Sequence, residues 1–169
     1  MPSEGSTAGC PASRLAFYLL LALLVLLLDL GSKALVEARL HPGQVITVTP
    51  FFNLVLTYNP GAAFSFLSDA SGWQRWLFSG IAMGASVLIV YLLRRHCLET
   101  LFSVALALIL GGALGNLWDR LALGHVVDFL DIHAWGRHWP AFNVADSAIT
   151  VGAAILILES FMHRDETGA

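Results

Sequence analysis

Two acidic residues occupy places where a carboxylate needs a reason to be. Asp146 lies inside the otherwise uncharged stretch Trp139–Leu158, and Asp128 stands between Val126-Val127 and Phe129-Leu130. A charge in a segment of membrane depth costs about 3 kcal/mol or more, so such residues are kept for helix pairing, proton relay or catalysis. With a fourth helix starting just after Pro140, Asp146 falls about 1.5 turns inside it. Asn143 and Thr150 then share its face. The 17 residues between Asp128 and Asp146 read as an irregular segment, able to bring the two side chains back to one place. Two adjoining carboxylates cannot both ionise cheaply, so the pair keeps one proton. One member can then activate water while the other protonates a carbonyl oxygen. That is amide hydrolysis without a metal or a side-chain nucleophile. Taken singly, Asp128 also fits a surface residue, and Asp146 a helix-pairing or relay group.

Other constellations are weaker. H-E-x-x-H is absent, and the nearest metal-like set, His125, Asp128, His133 and His138, lies in one loop without helical phase. Ser65 stands in Ala63-Phe64-Ser65-Phe66, without a nucleophile elbow. Asn116, Asp119 and Arg120 fall at i, i+3, i+4, which puts Asn116 and Arg120 on one helix face. Arg120 can snorkel to headgroups or position a carboxylate or a substrate backbone.

The elements that must hold these residues are apolar. The chain has 169 residues, 57% hydrophobic and only 12% charged, about half the charged share of a soluble domain. Its length leaves room for about four bilayer crossings and no appended soluble catalytic domain. Expected spans are 15–36, 74–93, 100–118 and 141–160, with both termini on one side. Residues 1–13 and 163–169 are tails, and 14–162 form one domain. Gly80/Gly84 and Gly111/Gly115 offer two small-residue faces for close helix approach.

Residues 37–73 and 119–140 then lie together on the other side. Val45–Thr49 and Phe51–Tyr58, rich in β-branched and aromatic residues and followed by Asn59-Pro60-Gly61, predict an antiparallel ribbon at the membrane surface. Residues 130–141, with Trp135, His138 and Trp139, read as an aromatic element at headgroup level. Cys10 and Cys97 show no C-x-x-C pattern, which supports neither a disulfide framework nor a thiolate metal site. A net charge of -3 without a basic block argues against nucleic acid. Four Lys/Arg on the terminal side against five on the other do not decide orientation, although Arg94-Arg95-His96 favours a cytoplasmic terminal side.

Five motifs occur in order: Asp29-x-x-x-Lys33, Asn59-Pro-Gly-Ala-Ala-Phe-Ser65, Gly115-Asn-Leu-Trp-Asp-Arg120, Val126-Val-Asp-Phe129 and Phe142-Asn-Val-Ala-Asp-Ser147. Together they closely resemble the bacterial lipoprotein signal peptidase (signal peptidase II) family, from about Asp29 to Glu159. The resemblance implies an all-α membrane protein of four transmembrane helices, with a small periplasmic β-cradle and a short mobile surface helix between the first two spans. It implies an inner-membrane aspartic endopeptidase, both termini cytoplasmic, that removes the signal peptide ahead of a diacylglyceryl-modified cysteine. Asp128 and Asp146 would be catalytic. Asn59, Gly61, Asn116, Arg120, Asn143 and Ala145 would bind substrate, and Asp29, Lys33 and Asp119 would give structural support. No cofactor or metal is implied; membrane lipids and the cyclic peptide inhibitor globomycin are implied partners.

Two rivals come from other classes: a small proton-coupled carrier relaying through Asp29, Asp128 and Asp146, and a non-catalytic assembly factor held together by its polar residues. A relay needs acids spread through the membrane depth. Here Asn59, Asn116, Arg120, Asp128, Asn143 and Asp146 all fall toward one face.

Overall fold

The computed structural model describes residues 10–61 and 72–166. The Ala62–Ser65 part of the second motif, residues 1–9 of the first tail and residues 167–169 of the second lie outside the described residues, as does any surface helix over 62–71. Four helices are long and apolar enough to cross a bilayer: α1 (Ala12–Glu37), α2 (Trp73–His96), α3 (Thr100–Ala122) and α4 (Val144–Glu166, its apolar part ending at Met162). The central one is α3. Some 56% of its span is buried, against 17–22% for the other three, whose outward faces carry Leu, Val and Ile for lipid.

Small residues let α3 hold that place. A Cβ on Gly111 would come within 2.6 Å of the Val25 Cβ on α1, and one on Gly115 would collide with the Asp29 carboxylate. Contacts this close replace the hydrophobic drive that lipid removes. Of the two glycine pairs singled out in the sequence, Gly111/Gly115 therefore packs helices. Gly80 and Gly84 face open space among the described residues.

The second layer is a four-stranded antiparallel sheet in the order β1 (Val45–Thr49), β2 (Phe52–Asn59), β3 (Val126–Ala134), β4 (Arg137–His138). The expected ribbon is β1 with β2. The segment between α3 and α4, expected to be irregular, instead supplies β3, which pairs along β2 from Phe52↔Ile132 to Asn59↔Val126. The run VVDFLDI has the β-branched and apolar residues of a strand, and pairing with β2 satisfies its backbone. Val36, Leu40, Leu56, Val127 and Phe129 form a buried cluster that seats the sheet on the end of α1. The β3–β4 turn is Trp135-Gly136, both with positive φ (50° and 73°), as a two-residue hairpin requires, and it leaves Trp135 fully exposed.

Two further expectations are corrected. The fourth helix starts at Val144 and not at 141, because Phe142 exchanges backbone hydrogen bonds with Leu130 of β3. Asp146 thus sits in the first turn of α4. Cys10 and Cys97 form a disulfide. Residues 87 positions apart meet because the start of α1 and the α2–α3 turn share one end of the bundle, a proximity that sequence spacing does not encode.

Candidate active site

The third residue of β3 and the third residue of α4 are the two aspartates, and Asn143 joins them. This asparagine is fully buried just ahead of α4, and its Nδ2 donates to Asp128 Oδ1 at 2.7 Å. Its Oδ1 accepts from the Asp146 backbone N–H at 2.9 Å, while its own backbone N–H donates to Asp146 Oδ2 at 3.3 Å. The last two bonds form a reciprocal capping box, here with Asn and Asp. The same box that starts α4 therefore fixes Asp146 and aims the Asn143 amide at Asp128.

Two more amides complete the frame. Asn116 Nδ2 donates to Asp146 Oδ1 at 2.7 Å, and Asn59 Nδ2 donates to Asp128 Oδ2 at 3.1 Å. Asn59 is itself held by an Asx turn, its Oδ1 accepting from Gly61 N–H at 2.9 Å. Gly61 has φ +108° and lies against Phe78 and Gln74 of α2, where a Cβ would be crowded at 3.2–3.3 Å. Burial pushes the Asp128 carboxyl up from 3.8 to about 7; the nearby Asp146 adds to the rise, and the amide donors and Lys33 partly offset it.

Behind this frame lies a charged one. Lys33 Nζ, almost fully buried, reaches Asp29 Oδ2 at 2.7 Å, Asp119 Oδ2 at 2.8 Å and Asn116 Oδ1 at 3.2 Å. An ammonium only donates, so it faces the Asn116 oxygen and leaves the Asn116 nitrogen for Asp146. Asp29 Oδ1 accepts from Ala145 N–H at 2.8 Å, and Asp119 Oδ2 from Val127 N–H at 3.2 Å. The motif residues Asp29, Lys33 and Asp119 thus tie α1 and α3 to the first turn of α4 and the start of β3. Ala145 is fully buried beside Gly112, a packing position behind the site and not on its wall.

Arg120 is part-buried near the pair. Its Nη1 donates to Asn116 O at 3.1 Å, its guanidinium lies 5.4 Å from the Phe78 ring centroid, and its Nε is buried without a partner among the described residues. It makes no ion pair with either aspartate among the described residues.

The sequence reading missed a neighbouring group. Asp131 of β3 accepts from Asn53 Nδ2 at 2.8 Å and lies 2.8 Å from His138 Nδ1. Burial raises the Asp131 carboxyl, but the bonds from Asn53 and His138 outweigh it and hold the group below the ordinary range. The pairing Asn53↔Asp131 was legible only once β3 was known to be a strand.

Fold and site together define a multi-pass membrane enzyme whose carboxylate pair sits where the helix bundle meets an extramembrane sheet. Residues 21–162 match the model of the Signal peptidase (SPase) II family. The chain is 58% identical over 154 residues, 90% of its length and 93% of the relative's, to a lipoprotein signal peptidase of Burkholderia vietnamiensis. It is 57% identical over 145 residues to one of Burkholderia thailandensis, covering 86% of this chain and 87% of that one. Two solved bacterial membrane enzyme structures superpose with TM-scores of 0.79 and 0.72, at 29% and 31% identity, covering 91% and 85% of this chain and 92% of each of theirs. The chain belongs to the signal peptidase II family, and it is a membrane peptidase.

Proposed function

We propose that this chain is an aspartic endopeptidase that cleaves the signal peptide from diacylglyceryl-modified prolipoproteins, on the amino-terminal side of the lipid-bearing cysteine. The observation that carries the reading is Asn143, which hydrogen-bonds both Asp128 and Asp146 from a fully buried position. Both oxygens of Asp146 accept N–H bonds, and it lies in the first turn of α4; in this scheme it is the member that takes the proton from water. Asp128, on a buried strand, keeps the proton. A water between them gives its proton to Asp146 and attacks the scissile carbonyl, while Asp128 protonates the developing oxyanion. Asp146 then passes its proton to the leaving amine as the C–N bond breaks, and Asp128 recovers its own as the carbonyl re-forms.

Arg120 and Asn59 orient the substrate backbone in this scheme, Gly61 serves by fixing Asn59, and Asn116 and Asn143 hold the pair. An apolar cavity of about 500 Å³ opens beside Asp146 along α4, lined by Phe142, Ser147, Thr150 and Val151. It suits the lipid-bound part of the substrate, and burial at about 0.8 kcal/mol per CH2 would help position the scissile bond. The enzyme resides in the bacterial inner membrane with both termini cytoplasmic and the sheet periplasmic, and globomycin competes for the aspartate site. In the reducing cytoplasm the bonded Cys10 and Cys97 would be held as neighbouring thiols.

The test is to incubate the full chain in detergent or lipid with a diacylglyceryl-modified prolipoprotein and with its unlipidated form. Release of the signal peptide from the lipidated form alone, unaffected by chelator, is the expected result. Inhibition by chelator, or full activity after Asp128→Asn or Asp146→Asn, would refute the scheme.

A further inference from the structure

The half of the bundle nearer the chain termini holds a groove that takes no part in the aspartate site. It has a volume of about 550 Å³ and lies between α1 and α2, with walls running from Leu19 to Leu26 and from Ser86 to Arg94, and with Leu110 and Leu114 of α3 as its floor. The groove exists because α1 and α2 both pack on α3 and hardly touch each other. Gly111 lets α3 close on Ala22 and Val25 of α1, while Ile89 and Leu93 of α2 join the buried cluster that contains Leu106 and Leu110. At about 100° per residue, Leu110 and Leu114 stand about 160° round α3 from Gly112. Gly112 faces Ala145 of α4, so the groove lies across α3 from the cavity beside Asp146.

Its length is that of one lipid leaflet. The walls on α1 and α2 extend about 10 Å and about 12 Å at the helical rise, against about 15 Å for half of the hydrocarbon core. The deep end, at Leu26 and Ser86, is near the middle of both helices, and the outer end is Arg94, in the last turn of α2. Arg94 is exposed and makes no hydrogen bond, ion pair or ring contact among the described residues. The groups beside it are engaged: Arg95 lies 5.5 Å from the Tyr91 ring centroid, His96 is 2.9 Å from Glu99, and Arg14 donates to the Leu98 carbonyl at 3.4 Å. An apolar slot of leaflet length that ends on an unpaired guanidinium matches a lipid with a negative head: a chain below and a phosphate above.

We propose that this groove binds an anionic phospholipid from the leaflet on the side of the chain termini. One acyl chain lies between α1 and α2 over Leu110 and Leu114, and Arg94 holds the phosphate. The occupant follows from depth and from charge. The groove is open to lipid along Leu23 and Val87, both exposed, and a chain of the adjoining leaflet reaches its whole length. A spanning peptide helix would need a groove about twice as long. The unpaired guanidinium selects the anionic class over a zwitterionic one, whose own cation offsets its phosphate. Bound there, the lipid fills the space between two helices that are otherwise joined through α3.

The test places the full chain in phosphatidylcholine nanodiscs that contain a trace of a lipid with a photoactivatable diazirine on one acyl chain, either phosphatidylglycerol or phosphatidylcholine. The phosphatidylglycerol probe is expected to label α1 between Leu19 and Leu26 and α2 between Ser86 and Arg94, about fivefold more than the phosphatidylcholine probe does. Arg94→Gln should abolish that preference. Arg95→Gln, which removes the same charge one residue on, should leave it within about twofold. Val87→Trp, which adds bulk at an exposed position of the groove wall, should lower labelling by both probes. Equal loss in Arg94→Gln and Arg95→Gln would mean attraction to a diffuse surface charge and overturn the site. Equal labelling by the two probes, labelling spread over the other lipid-facing helices, or no effect of Val87→Trp would overturn it too. The labelling map needs only the wild type, so it decides even if a variant does not fold.

Discussion

The molecule holds two sets of buried carboxylates a few side chains apart, and they are built differently. Asp29 and Asp119 share the ammonium of Lys33, at 2.7 and 2.8 Å, and each also takes a backbone N–H. Asp128 and Asp146 receive only amide and backbone N–H bonds, make no ion pair among the described residues, and open into cavities. The first set is closed around one shared cation, two carboxylates to one ammonium, and ties four elements together. The second is satisfied in hydrogen bonds but not in charge, which leaves it a proton to move and room for a substrate. In the proposed scheme it is burial without a counter-ion, and not burial alone, that marks the reacting acids.

The comparison can be broken at either set. Asp128→Asn or Asp146→Asn should lower kcat by at least about 10³-fold, within the range that general acid and base groups supply, while the protein still extracts and melts as a folded species. Retained activity with lost folding would reverse the roles of the two sets. Lys33→Met should do the opposite: leaving two carboxylates buried without their cation costs about 3–5 kcal/mol, read as a lower Tm and poor recovery from membranes. Between these lies Gly115→Ala, whose methyl group would meet the Asp29 carboxylate; a loss of about 1–3 kcal/mol in thermal stability is expected.

A gentler probe is pH. Asp128 holds its proton up to about 7 in the folded chain, against 3.8 for a free carboxyl. If that proton is the one donated, kcat/KM should fall above about pH 7, approaching tenfold per unit. The same shift bears on folding. Between these two values the folded chain binds a proton that the unfolded chain has released, so this group's contribution to stability is full below about 4 and declines as pH rises through about 7. The Tm of Asp128→Asn relative to wild type should accordingly be higher at pH 8 than at pH 5. A difference that does not move with pH would place the retained proton elsewhere.

Much of this was legible from residue types. Segments with almost no charge read as spans because a bilayer admits backbone only when its polar groups are satisfied within the helix. Val45–Thr49 and Phe51–Tyr58 read as strands because β-branched and aromatic residues alternate before a strong turn. β3 escaped because Asp128 and Asp131 interrupt its apolar run, and its long pairing is with β2, to which no turn joins it. The start of α4 was misplaced by three residues because Phe142 is committed to Leu130, a bond made across the sheet. Ala145 lay in a motif with Asp146, yet it is fully buried with its backbone carbonyl against Gly112, and spacing alone could not say so.

The sequence by itself determined that this chain lives in a membrane, that it has four crossings, and which acids have no ordinary reason to be there. Those are properties of composition and local period, set by the solvent each residue must face. Only the tertiary structure decided that Lys33 belongs to Asp29 and Asp119, that Asn143 belongs to both Asp128 and Asp146, and that Phe142 pairs with Leu130. Each of these depends on where separate elements come to rest, and hydrogen-bond distances of about 3 Å are settled by packing and not by spacing along the chain.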